Sequence, residues 1–181
     1  MTETPQTVLD YWFKTLTPAH WFTKNDAIDA EIRQRFLDLH LDLSRNVPDE
    51  WRASPEARLA LIIVFDQFPR NMFRGSPHAF ATDALAREEA RIAVATGADQ
   101  AVDEAWRSFF YLPFEHSEAI EDQNRSVTLF TALGDPTGID YAIRHREVIE
   151  TYGRFPHRNH ILRRENTAVE TAYLAQPGAG F

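Results

Sequence analysis

Residues 59–68 read Leu59-Ala60-Leu61-Ile62-Ile63-Val64-Phe65-Asp66-Gln67-Phe68, and Pro69 follows. From Leu59 to Phe65 no residue is polar. A helix here is apolar on every side and belongs at the centre of a helical core. Ser54-Pro55-Glu56 opens it with an N-cap and proline at the first helical position, and Pro69 is expected to end it near Phe68. Asp66 follows Ile62 by four residues and Ile63 by three, so it shares their face. A buried carboxylate is costly unless paired, and the negative end of the helix dipole disfavours it further. Asp66 therefore calls for a cationic or donor partner.

Helical signals continue on both sides. Upstream, a first helix is expected from about Pro5 to Leu16. Between Asp26 and Arg45, Ile28, Ile32, Phe36, Leu39 and Leu43 recur with a helical period. Downstream, Ser76-Pro77 is a start signal, and Gly97 closes an Ala-rich helix from about Ala79 to Thr96. A shorter helix is expected over Asp99–Tyr111, one from Pro113 to Gly134, and one from Gly138 to Tyr152 capped by Gly153. Asn166-Thr167 can cap a last short helix, and the tail at 177–181 is expected to be mobile. Strand signals are scarce. About eight helices with short connections make sequential helices antiparallel neighbours. The expectation is an all-α fold of packed helical hairpins, in one domain spanning residues 1–181.

Composition agrees with a globular chain. Its 181 residues are 44% hydrophobic and 25% charged. A chain of this size buries about 70% of its surface, enough for a core without staples. There is no cysteine, which excludes disulfides, thiol nucleophiles and thiolate metal sites. The formal charge is -8, from 27 acids against 19 bases. Such a balance disfavours nucleic acid and anionic membrane as partners. Of the bases, 17 are Arg and 2 are Lys. The N-terminal residues carry no basic segment before their apolar ones, and no apolar run approaches a membrane span. A soluble cytoplasmic protein is expected.

Polar residues inside apolar arcs mark the candidate site. On the helix expected from Pro113, His116, Ile120, Gln123, Val127 and Phe130 share one arc, flanked by Glu115 and Asp122. Glu118, Glu121 and Arg125 fall on the opposite face. On the next helix His145 sits between Tyr141 and Val148. Residues 141–165 then carry six Arg and three His against three acids, the one basic stretch of the chain. One reading is an enzyme for a small anionic molecule. His116 and His145 would be general acid and base, oriented by Asp66 and Glu115. Arg70, Gln123, Arg154, His157 and Arg158 would hold the ligand. No cofactor is demanded, although Asp66, Glu115, His116 and His145 form an N/O set suited to a divalent metal such as Zn, Fe or Mn. Two other readings stand beside it. The helices can present a groove for a peptide or protein partner. The buried polar residues can also be a network that fixes helix registry.

Common catalytic signatures are missing: GxGxxG, GxxxxGK[ST], GxSxG and HExxH do not occur. His157-Arg158-Asn159-His160 has a superficial nuclease look, which the acidic balance of the chain discounts. Trp12, Trp21, Trp51 and Trp106 read as core.

Five segments, taken together, resemble a known family. They are Val8-Leu9-Asp10-Tyr11-Trp12-Phe13, Phe65-Asp66-Gln67-Phe68-Pro69-Arg70-Asn71, Pro113-Phe114-Glu115-His116-Ser117-Glu118 with Asp122-Gln123, His145-Arg146, and Gly153-Arg154-Phe155-Pro156-His157-Arg158-Asn159. In this order they resemble the bacterial domain of unknown function 924, from about residue 6 to residue 175. Tyr11 and Met72 stand where other large apolar residues are expected. The resemblance implies a tetratricopeptide-like α-α superhelix and carries no function with it.

Overall fold

The computed structural model describes residues 3–180; Phe181, the end of the tail expected to be mobile, lies outside them. Among the described residues there are nine α-helices and no strand, so the fold is all-α. None of these helices is long and apolar enough to cross a membrane. The chain divides into two compact units. One is the chain up to Arg74 with His78–Pro113, and the other is Gly75–Pro77 with the chain from Phe114 onward.

The first unit is built around α4 (Pro55–Met72). Against it pack α1 (Pro5–Asp10), α3 (Asp26–Arg45) and α5 (Asp83–Thr96). Every residue from Leu59 to Pro69 is buried, as an apolar surface on all sides requires. Ser54 Oγ accepts from the Ala57 N–H at 3.1 Å, which is the expected N-cap. The α1 helix runs into one π-turn over Tyr11–Thr15, and the short α2 (Pro18–Trp21) follows.

The α4 helix does not stop before Pro69. It continues to Met72 with the proline inside it. Proline has no N–H to donate to the carbonyl four residues back. That carbonyl belongs to Phe65, and Thr82 Oγ1 donates to it at 2.6 Å instead. A side chain thus supplies the bond that the proline removes. The helix expected from Ala79 begins later, at Asp83, after a short 3-10 turn over Pro77–Phe80.

The division between the units falls within α6 (Ser108–Glu115), at Pro113. In the second unit α7 (Ile120–Leu133) and α8 (Pro136–Tyr152) are joined by Gly134 and Asp135 alone, so α8 folds back along α7. Gly138 allows this close approach: a Cβ there would stand 2.5 Å from the Phe130 ring. Thr167 and Glu170 form a capping box that starts α9 (Ala168–Leu174). Val148, Ile149 and Phe155 form the apolar centre, with Ile120, Tyr152 and Tyr173 packed on it.

The continuous helix expected from Pro113 to Gly134 is broken over residues 116–119. Side chains take over the backbone groups at the break. Gln123 Nε2 donates to the carbonyls of Glu115 at 2.7 Å and Ser117 at 2.6 Å. Ser117 Oγ donates to Asp122 Oδ2 at 2.7 Å and accepts from the Ala119 N–H at 3.2 Å. His116 and Glu118 therefore lie on a turn rather than on a helix face.

Candidate functional site

Asp66 and Arg70 belong to the first unit. Arg70 is the partner that Asp66 requires, one turn further along α4. Its Nη1 stands 3.2 Å from Asp66 Oδ1 and 2.8 Å from Asp83 Oδ1, while Nη2 reaches Asp83 Oδ2 at 3.1 Å. The same Nη1 donates to the Asp66 carbonyl at 2.6 Å, and Gln67 Nε2 donates to Asp66 Oδ2 at 2.5 Å. Burial acts to lower the Arg70 pKa, but the two carboxylates outweigh it and hold the guanidinium charged. The Arg70 fork is taken up by two acids.

The second unit gathers most of the other candidate residues around one ring. Phe155 is fully buried. The His145 ring lies edge-on at 5.6 Å from its centroid, the His157 ring at 5.5 Å, and the Arg158 guanidinium covers it at 4.4 Å. Arg158 Nη1 donates to the His116 carbonyl at 3.0 Å, which fixes the guanidinium beside the turn at 116–119. So Glu115, His116, Gln123, His145, His157 and Arg158 meet in one region.

His145 is the most constrained of them. Its Nδ1 lies 2.8 Å from the Tyr141 carbonyl, four residues earlier on α8. A carbonyl only accepts, so Nδ1 carries the ring proton and Nε2 is the acceptor. Glu115 Oε1 stands 3.5 Å from the same Nδ1. Burial pushes the His145 pKa down to about 3, with His116, Arg158 and His157 adding to the effect against the Tyr141 bond. His157 falls to about 4, again chiefly by burial and then by the Arg158 charge. Both rings are neutral at pH 7.

Two buried polar atoms nearby have no hydrogen-bond partner among the described residues. They are Gln123 Oε1 and Ser126 Oγ, one turn apart on α7, on residues that are 0% exposed. Buried polar atoms are rarely left so. Among the described residues no three His, Asp or Glu side chains are gathered to hold a metal ion.

Arg154 turns elsewhere. Its Nε and Nη2 bind the Glu170 carboxylate at 2.6 and 2.8 Å, and Nη2 also donates to the Glu165 carbonyl at 2.9 Å. Arg154, joined by backbone and side-chain donors of Thr167, holds the Glu170 carboxyl far below the ordinary range.

Sequence reasoning did not select Glu118, Ser126, Phe155 or Arg164 individually. A continuous helix from Pro113 puts Glu118 on an outward face, and breaking the helix removes that face. It is half-buried and accepts from Arg164 at 2.7 and 2.9 Å and from the Phe155 N–H at 2.8 Å. Burial raises its pKa, but Arg164 and the Phe155 N–H prevail and hold it below the usual carboxylate range. The available signal was the Ser117–Gln123 spacing, since both side chains compete for backbone groups.

Known proteins match the chain over most of its length. Residues 8–178 match the bacterial protein family of unknown function DUF924. A protein of unknown function from Agrobacterium tumefaciens, ATU0120, is 44% identical. Its solved structure superimposes with a TM-score of 0.91, covering 96% of this chain and 97% of that one. No curated protein matches the chain. With nearly its whole length matched, the chain belongs to the DUF924 family.

Proposed function

We propose that this protein binds a small anionic molecule, a phosphate or carboxylate compound, in the second unit and handles a proton there. The observation that carries the reading is the grouping of His145, His157 and Arg158 around Phe155, with Glu115 at 3.5 Å from His145. Arg158 supplies a planar fork suited to either anion. The two neutral imidazoles supply groups whose charge an anion controls: a bound negative charge favours the protonated ring and raises its pKa. Anion binding is then coupled to proton uptake, which is what an acid–base site needs. Gln123 Oε1 and Ser126 Oγ, buried without partners among the described residues, add an acceptor and a hydroxyl for the polar body of the ligand. Asp66–Arg70–Asp83 and Arg154–Glu170 are the scaffold.

The test is a thermal-shift series of untagged protein with inorganic phosphate and small mono- and dicarboxylates. At least one anion is expected to raise Tm in a concentration-dependent way, because it binds only the native state. Arg158→Met is expected to fold and to lose that rise. Wild-type protein that ignores every anion, or an Arg158→Met variant that responds fully, overturns the reading.

A further inference from the structure

We propose that Glu118 is a positioning residue: its carboxylate clamps the 155–164 segment to the turn at 116–119 and so places Arg158 and His157. This rests on the anion-binding reading above. The segment has little regular structure to hold it, one 3-10 turn over Pro156–Arg158, yet Phe155, Pro156, Arg158 and Asn159 are buried. Glu118 meets it at both ends. Oε1 accepts from the Phe155 N–H at 2.8 Å and from Arg164 Nη2 at 2.9 Å, and Oε2 accepts from Arg164 Nη1 at 2.7 Å. Arg164 closes the loop upon itself. Its Nε donates to Asn159 Oδ1 at 2.9 Å, its Nη2 to the Phe155 carbonyl at 3.1 Å, and its backbone N–H to the Asn159 carbonyl at 2.8 Å. Between these contacts lies Arg163, whose φ of 55° is a left-handed conformation that non-glycine residues rarely adopt. Such a residue persists where its surroundings over-determine it. The turn that carries Glu118 also carries the His116 carbonyl that receives Arg158 Nη1. One carboxylate thus ties together the two pieces of backbone that Arg158 spans.

Glu118→Gln in the full chain separates positioning from simple charge. The charged and titratable groups acting on His157 include Arg158, Glu118, Arg164 and His160, and His157 acts on His145 in turn. Glu118 itself raises the His157 pKa, so losing only its charge lowers the midpoint. Releasing the segment exposes the ring and raises it. In the folded variant, checked by circular dichroism, the His157 midpoint read by NMR is expected to rise by about one unit. Phosphate is expected to bind roughly tenfold more weakly, because preorganisation is lost. An unchanged or lowered midpoint, or wild-type phosphate affinity, overturns the proposal. Arg164→Lys keeps the charge and loses the fork, and carries the same two readouts if Glu118→Gln fails to fold. If wild-type protein responds to no anion, the functional reading falls by itself. The direction of the His157 shift still decides the clamp.

Discussion

Glu115 Oε1 and His145 Nδ1 stand 3.5 Å apart, and the nitrogen is already bonded to the Tyr141 carbonyl at 2.8 Å. The shorter bond sets the tautomer, and burial keeps the ring neutral. The pair is therefore a buried carboxyl group beside an uncharged imidazole.

Stability should fall as pH drops below neutrality. His145 titrates near 3 and His157 near 4 in the folded chain, against an ordinary value of 6.5. Between those values the unfolded chain binds more protons, so acid favours unfolding. The loss begins near pH 6.5 and flattens below the folded values. Going from pH 7 to pH 5 costs about 2 kcal/mol for each such imidazole. Urea unfolding at the two pH values measures it, and an unfolding free energy that does not change would refute the buried neutral rings.

Arg154→Met should lower Tm while leaving any anion response intact. Its guanidinium is committed to Glu170 and the Glu165 carbonyl. A response lost together with that of Arg158→Met would place Arg154 in the binding set after all.

Thr82→Val should cost about 1–3 kcal/mol, the penalty for a buried carbonyl left without its donor. The carbonyl is that of Phe65. In a Pro69→Ala background the helix regains an N–H for it, and the cost should fall below about 1 kcal/mol. A double-mutant cycle by chemical denaturation reads the coupling. Equal costs in both backgrounds would contradict the substitution of Thr82 for the missing helix bond.

Gly138→Ala should destabilise by roughly 1–3 kcal/mol through overpacking. The new Cβ meets Phe130 Cδ1 at 2.5 Å and Asp135 Oδ2 at 2.7 Å. Phe130→Leu in the same chain should relieve part of the strain. If Gly138→Ala is neutral, the α7–α8 approach is looser than described.

The helical class, the central place of residues 59–68 and the need of Asp66 for a partner were legible in the chain itself. They follow from periodicity, caps and the cost of burying charge, which are local properties. The inward setting of Gln123 and His145 was legible for the same reason. Tertiary structure decided the rest. It carried α4 past Pro69 because Thr82, distant in sequence, bonds the Phe65 carbonyl. The break after Glu115 is made by the nearby Gln123 and Ser117, but it was the packing of residues 155–164 that turned the freed Glu118 from an outward face into a clamp. Tertiary structure also sorted the arginines: Arg70 and Arg154 into ion pairs, Arg158 onto Phe155. Apart from the one-turn Asp66–Arg70 contact within α4, which acid an arginine meets depends on how separate segments pack. No spacing along a single chain encodes that distance.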